Sequence, residues 1–238
     1  RALEMSLFPF VFGFIESKSG LYECETFEVH LERERPALIQ ASVKEPMVPG
    51  ESVIFEMGYL GKMNRHTLAT VESCSQKAPE TFVVTLLEPV RQILSKPLIK
   101  QYAEVKLETV LRDIASGTGL DFVKKGVFES ELENLILLDT IRNALDQCWS
   151  IYECETARWA IDLLTKRFLF LAEGKLPGEP VEIPIDYFKS EFDNGVVINI
   201  LPSLKPYTPV IWRDEEKIID IVRINNKSKS MYLTFASN

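Results

Sequence analysis

From about residue 24 to residue 90, apolar and polar side chains alternate with a period of two, which predicts half-buried β-strands. Turn-forming residues interrupt the alternation at Pro49-Gly50, at residues 61–64 and at Pro89. The alternating apolar positions between these turns are Ala37, Ile39, Ala41 and Val43, then Val53, Phe55, Met57 and Tyr59, then Ala69 and Val71, and finally Phe82, Val84 and Leu86. Several short strands at this spacing predict a β-barrel or a β-sandwich.

Near residue 100 the apolar period changes to that of an amphipathic helix, which Gly117 and Gly119 are placed to end. Its apolar face consists of Leu107, Val110, Leu111 and Ile114. Two more helices are predicted in the same way. The first has Asp139 as its cap and contains Ile141, Ala144, Leu145 and Cys148; the second has Thr156 as its cap and contains Ala157, Ala160, Ile161, Leu164 and Phe168. The middle of the chain is therefore predicted to be α/β, with extended structure returning over residues 168–172.

The last fifty residues return to the strand pattern. Strands are predicted at residues 196–201, 209–212, 217–224 and 231–235, separated by prolines, by an acidic turn at residues 214–216 and by Asn225-Asn226. Because small open sheets rarely stand alone, we expect these strands to pair with the N-terminal strands or with another subunit.

The overall charge argues against a nucleic-acid ligand. The chain has 35 acidic and 27 basic side chains, a formal charge of -8 and a pI of about 5.0, which is the wrong sign for neutralising phosphates. Apolar residues at 46% and charged residues at 26% are typical of a folded globular protein. We therefore expect a globular protein without specific nucleic-acid binding.

No group of residues in the sequence forms a recognisable reactive centre. The two histidines, His30 and His66, are far apart, and there is no metal-binding motif, nucleophile elbow or phosphate-binding loop. The carboxylate pair Glu153 and Glu155 falls in a connector, and the run at residues 214–216 falls in a turn, so solvated charge explains both better than acid catalysis does. We predict no catalytic residue, no metal site and no cofactor.

The four cysteines give no sign of a redox or zinc motif, because none of them forms a C-x-x-C pair. They are Cys24, Cys74, Cys148 and Cys154. The last two are close enough in sequence to form a disulfide, but Cys148 lies on the apolar face of a predicted helix, which favours a buried free thiol. Scattered reduced thiols are typical of a cytosolic protein.

The longest apolar stretch covers residues 7–15. It is too short to span a bilayer, it contains Pro9 and Gly13, and it lacks the flanks of a signal peptide, so no membrane insertion is predicted. The chain opens with Arg1, which leaves the true N-terminus open. As the outer strand of a barrel, this stretch would expose apolar surface that another subunit could cover. The candidate interface residues are Phe8, Phe10, Phe12 and Phe14.

Three stretches, taken in order, resemble the baseplate hub proteins of contractile-tail phages. Residues 49–61 (PGESVIFEMGYLG) are similar to a barrel strand of that family that ends in a glycine-tyrosine turn. Residues 105–119 (VKLETVLRDIASGTG) are similar to the helix that opens its α/β insert. Residues 201–206 (LPSLKP), followed by the strand at 218–224, are similar to the start of its last barrel. The family is that of late control protein D, which is related to the hub part of type VI secretion spike proteins.

The resemblance implies an α+β, mainly β fold with two small β-barrels and an α/β insert between them. The expected divisions are a first barrel at residues 1–95, the insert at 96–185 and a second barrel at 186–238, whose strands are shared with the N-terminal part or a neighbouring subunit. It also implies a homotrimer in the virion tail, made in the bacterial cytoplasm, that links the tail tube to the central spike and contacts other baseplate proteins. It carries over no catalytic residue. The alternatives are the hub portion of a secretion spike, another tail ring component, or a cell-wall-degrading tail enzyme.

Overall fold

The structure, a computed structural model, describes residues 10–59 and 61–236. The chain divides into two compact units. The first combines Arg1–Glu88 with Pro180–Asn238, and the second is Pro89–Glu179. The second unit is thus an insertion between two segments that together form the first. The division into three domains at residues 95 and 185 stays a prediction.

The first unit is built from strands contributed by both ends of the chain. The N-terminal strands are β1 (Val11–Glu16), β2 (Leu21–Cys24), β3 (Thr26–Glu32), β4 (Leu38–Val43), β5 (Ser52–Tyr59), β6 (Lys62–Ala78) and β7 (Thr81–Leu87). Later strands of the unit are β13 (Val181–Glu182), β14 (Phe188–Phe192), β15 (Gly195–Ile198), β16 (Pro209–Trp212), β17 (Glu215–Asn225) and β18 (Ser230–Phe235), with a short 3-10 turn at Ile185–Tyr187.

These strands form one continuous path of pairings. Its order is β14-β15-β18-β17-β3-β4-β7-β6-β5-β1-β2, and β16 pairs with both β17 and β13. Antiparallel pairing of β3 with β17, in which Val222 lies opposite Leu31, joins the N-terminal and C-terminal strands. Within the described residues no pairing joins β14 to β2. The mainly β, α+β class is therefore confirmed, whereas the sheets are not closed into barrels.

Alternation along the strands buries one face of each in the core of the first unit. On β4, Ile39, Ala41 and Val43 are buried, as the sequence predicts. On β5, Phe55 is fully buried, and its ring meets that of Phe27 edge to face at a centroid distance of 5.5 Å. The apolar half of the sequence pattern thus becomes the interior of this unit.

The second unit packs helices against two small sheets. Its elements are α1 (Val90–Leu94), β8 (Pro97–Lys106), α2 (Leu107–Thr118), β9 (Asp121–Lys125), β10 (Glu131–Thr140), α3 (Ile141–Ile151), β11 (Arg158–Asp162) and β12 (Arg167–Leu171). Strand β8 pairs with β10, and the other sheet has the order β11-β12-β9. The predicted apolar face of α2 is fully buried, and Gly119 ends the helix in the left-handed conformation with φ 78°.

Helix α3 also forms where the pattern predicts it, but its cap differs. The side chain of Thr140, rather than Asp139, accepts the hydrogen bond from the Asn143 backbone N–H at 3.4 Å. Asp139 instead accepts from the Thr140 backbone N–H at 2.6 Å. The predicted cap is therefore wrong by one residue.

The third predicted helix is wrong, because residues 158–171 form the hairpin of β11 and β12. Trp159, Phe168 and Phe170 are buried on alternate positions of its strands, so the same apolar residues satisfy a period of two. The carboxylate of Asp162 accepts the backbone N–H groups of Leu164 and Thr165, which stabilises the turn. Parallel pairing of β12 with β9 then fixes the hairpin in the sheet.

All four cysteines are free thiols, as expected from their spacing. No helix within residues 10–59 or 61–236 is both long and apolar enough to span a membrane.

Candidate subunit interface

The predicted interface lies on and just before β1. Phe8 lies outside the described residues. Phe10 is 60% exposed, whereas Phe12 and Phe14 are half-buried on the face of β1 opposite to the fully buried Ile15. The structure thus leaves Phe10 as the most accessible apolar side chain of the described part of this segment.

Strand β1 does not lie at the end of the sheet. It pairs with β2 on one side and with β5 on the other, so that Gly13 has Cys24 and Met57 as its neighbours. The condition of an outer strand is therefore not met by β1, since both of its backbone edges are occupied. Only the side chains of this segment are available to a second subunit.

Phe10 lines a cavity of about 280 Å³. The ammonium group of Lys229 lies 3.8 Å from the centre of its ring, which is a cation–π contact. Among the other lining residues, the Tyr59 hydroxyl donates to the Ile200 carbonyl at 2.7 Å. Burial, together with the neighbouring Tyr187, raises the pKa of Tyr59 to about 12, so this phenol stays protonated at neutral pH. The cavity therefore offers packing and hydrogen bonding rather than a reactive base.

A second depression, the β3–β17 groove, occupies the solvent side of the sheet where the N-terminal and C-terminal strands meet. Its volume is about 510 Å³. Arg223 lies directly across from His30 on one side and from Tyr232 on the other. Burial, and then the charge of Arg223, lower the pKa of His30, so the imidazole is neutral at pH 7. The groove therefore carries the positive charge of Arg223 and the negative charge of Glu28.

The candidate catalytic residues lie on separate elements. His30 is on β3 and His66 is on β6, where burial lowers the pKa of His66 to about 3. Glu153 and Glu155 follow α3 in a loop, and Asp214 lies in the turn between β16 and β17. Across residues 10–59 and 61–236, no cluster of three or more His, Cys, Asp or Glu side chains could hold a metal ion.

The fold has clear counterparts among solved structures, although no family model and no curated protein matches the sequence. A tail protein of prophage MuSo2 from Shewanella oneidensis matches with a TM-score of 0.68 and 8% identity, over 95% of this chain and 97% of that one. The tail protein from Neisseria meningitidis MC58 matches with a TM-score of 0.66 and 8% identity, over 96% and 97% of the two chains. The Escherichia coli c3393 protein, a component of the type VI secretion system, matches with a TM-score of 0.63 and 12% identity, over 93% and 75%.

The fold is therefore one that phage tail proteins and a type VI secretion component share. The resemblance seen in the sequence is therefore confirmed at the level of fold. At these low identities the likeness concerns architecture and transfers no residue function.

Proposed function

We propose that this chain is a structural protein of a phage or prophage tail, a baseplate hub subunit that links the tail tube to the central spike. The observation that carries the proposal is the match to two tail proteins over 95% or more of both chains. A match over part of the chain would reflect only one shared barrel. A match over nearly the whole of both chains also includes the order in which the two units occur in the sequence. The proposed partners are the tail tube, the spike and other baseplate proteins, and the proposed location is the virion tail.

We also propose that the N-terminal strands act as an open barrel whose one gap in strand pairing, among the described residues, lies between β2 and β3. Strands β2 and β3 are separated only by Glu25; β2 pairs with β1, and β3 pairs with β4. From β4 the pairings run through β7, β6 and β5 back to β1. The Glu25 backbone N–H donates to the Ser42 carbonyl at 2.8 Å, which bridges the break. In this proposal, β17 and its neighbours form the second barrel, and the divisions at residues 95 and 185 remain approximate.

The third element of the proposal is a homotrimer whose six barrels form a ring. Phe8, Phe10, Phe12 and Phe14 are the proposed contact residues. Phe10 supports the idea because it is 60% exposed. An exposed aromatic side chain of this kind is typical of interface anchors.

Light scattering on a sizing column tests the assembly, with the chain alone and mixed with a purified tail spike protein. We expect a mass of three times 27.2 kDa. The Phe10→Glu variant should weaken the trimer, whereas Ile185→Glu should not, although Ile185 is 76% exposed in the same unit. A mass near one chain in both conditions, at micromolar concentration, would contradict the trimer.

The alternatives within the same structural class are the hub portion of a secretion spike and another tail ring component. The genes beside this one distinguish them, because a phage tail gene cluster and a secretion gene cluster encode different neighbours. The match to c3393, a type VI secretion component, is what keeps the first alternative open.

A peptidoglycan-degrading tail enzyme is the alternative of a different class. It would need an acid and a base in one cleft, and it would clear cell-wall suspensions. We expect no clearing in a turbidity assay. Clearing by the native chain that is lost in Glu153→Gln or Glu155→Gln would show that the structural interpretation is wrong.

A further inference from the structure

An apolar surface in the second unit is not explained by the packing of that unit. Strands β8 and β10 pair only with each other among the described residues, and we refer to them as the β8–β10 ribbon. On its outer face Ile99 lies opposite Leu138, and these side chains are 74% and 68% exposed. Ile136, on the same face of β10, is 52% exposed. The ribbon therefore presents a contiguous apolar patch to solvent.

The inner face of the ribbon is already used. Leu135 and Leu137, which alternate with Ile136 and Leu138, are buried in the core of the second unit. Strand β10 is thus apolar on both faces, which is typical of a strand covered on both sides. Beside the patch the outer face carries no charge, since its other residues there are Pro97, Gln101, Ala103, Asn134 and Thr140. At the far end of the ribbon the exposed residues Glu131 and Lys106 lie opposite each other.

The side of β10 away from β8 is an open strand edge, because no strand other than β8 pairs with β10 in the described part of the chain. The side-chain amide of Gln147 donates to the Ile136 carbonyl at 3.3 Å. This side chain already occupies the Ile136 carbonyl, so an added strand would have to replace it there. An added strand would supply such donors along its whole length.

All charged residues of β10 are acidic. The strand contains Glu131, Glu133 and Asp139 and no lysine or arginine, and all three carboxylates are exposed. None of the three forms an ion pair with another described residue, whereas Lys100 on β8 is paired with Asp113 at 3.6 Å. The edge therefore suits a strand with basic residues.

The same strand of a second copy fits the edge poorly. Pairing β10 with its own copy would bring like carboxylates together across the strands, which is unfavourable. The outer face of a ribbon ten residues long is also small, roughly 33 Å by 10 Å, against about 800 Å² per partner in a stable protein interface. An extended segment gains from main-chain hydrogen bonds as well as from area, so it does not need such an interface.

We propose that β10 accepts, as a third strand of the β8–β10 ribbon, an extended segment of another protein in which apolar residues alternate with lysine or arginine. Its apolar side chains extend the patch of Ile136 and Leu138, and its basic side chains lie beside Glu133 and Asp139. This inference goes beyond the proposed function and does not depend on it, because it uses residues of the second unit alone.

A direct test uses fluorescence anisotropy with the full chain and a labelled nine-residue peptide in which valine alternates with lysine. One control peptide has glutamate in place of lysine. The other has the same valines and lysines in two separate blocks, which keeps the charge and removes the alternation. We expect saturable binding of the alternating lysine peptide, at least tenfold tighter than that of either control.

Variants of the chain separate the contribution of the apolar patch from that of the acidic residues of β10. The double variant Ile136→Ser and Leu138→Ser should weaken binding roughly tenfold or more. The double variant Glu133→Gln and Asp139→Asn should weaken it roughly threefold to tenfold at low salt. The matched controls are Val127→Ser and Glu129→Gln, which alter exposed residues of the same unit outside the ribbon and should leave binding unchanged.

Equal binding of the alternating and block lysine peptides would overturn the proposal, since it would reflect attraction of any basic peptide to an acidic protein. Binding that is insensitive to the Ile136 and Leu138 variant would overturn it as well. If the peptide fails to bind and the same variant lowers the mass of the assembly, the patch is an interface between copies of this chain and the proposal is wrong.

Discussion

Acid should destabilise the first unit through one buried histidine. His66 on β6 is 6% exposed, and its ring meets that of Phe55 edge to face at a centroid distance of 6.3 Å. Burial, with a smaller contribution from Lys205, lowers the pKa of His66 to about 3, against about 6.5 in an unfolded chain. Between these two values the unfolded chain binds a proton that the folded protein does not.

The free energy of unfolding should therefore fall as the pH falls. The stability that the protein has with a neutral His66 is fully present above about pH 6.5. As the pH drops toward 3, the free energy of unfolding falls by about 1.4 kcal/mol for each pH unit. At pH 4.5 the loss amounts to roughly 3 kcal/mol. This is a large part of the roughly 5–15 kcal/mol that stabilises a typical domain.

Chemical denaturation between pH 7.5 and pH 4.5 measures this effect by comparing the native chain with His66→Leu. Leucine suits the site because Nε2 of His66 has no hydrogen-bond partner among the described residues. Carboxyl groups with a lowered pKa, such as that of Glu108, also make the protein less stable in acid. Their effect is the same in both proteins, so it cancels in the difference. We expect the variant to lose roughly 3 kcal/mol less than the native chain over this range.

The matched control is His30→Gln, because His30 is the other histidine and is much more exposed. Its pKa is lowered too, chiefly by burial, so the control should change the acid sensitivity in the same direction but by less than His66→Leu does. Identical pH dependence in the native chain and in His66→Leu would refute the reasoning.

Three further predictions concern packing, thiols and charge. Gly58→Ala should destabilise the protein by about 1–3 kcal/mol, because an added Cβ would lie 2.2 Å from the Lys62 carbonyl oxygen. Gly117→Ala in α2 has open space around the added Cβ and should stabilise the protein by about 0.5–1 kcal/mol. Denaturation curves of both variants test the pair. The thiols of Cys24 and Cys148 should not react with a thiol reagent at pH 8 until the protein unfolds, because burial raises the pKa of each to about 12; rapid labelling of the folded protein would count against this. With a net charge of -8, the chain should not shift short duplex DNA in a gel at low salt; micromolar binding that weakens steeply with salt would reveal a basic surface instead.

The sequence correctly predicts those elements in which the spacing of apolar residues fits only one type of secondary structure. Strand β4 and helix α2 follow their patterns closely, because one face is buried and the other is polar. Residues 158–171 fit both a helix and a hairpin, and the turn at Asp162 and the pairing with β9 decide between them. Strand β10 escapes prediction because the run at residues 135–138 is apolar on both faces, which removes the period-two signal.

The candidate surfaces were predictable only in part. The apolar run at residues 7–15 suggests an exposed aromatic segment; Phe10 is exposed, whereas Phe12 and Phe14 are half-buried, and their role in an interface stays a prediction. The pairing of β1 on both sides is a long-range property that this run does not encode. Nothing in the sequence predicts the β3–β17 groove, because His30 and Arg223 are distant in sequence and are brought together only by the pairing of their strands.

Cryo-electron microscopy of tail particles tests the central claim most directly. Particles would be isolated from cells that carry the gene and from cells in which it is deleted. The account predicts three copies of this fold at the junction between tail tube and spike, and particles without that junction in the deletion. Complete tails in the deletion, or density for this fold repeated along the tube instead, would contradict it.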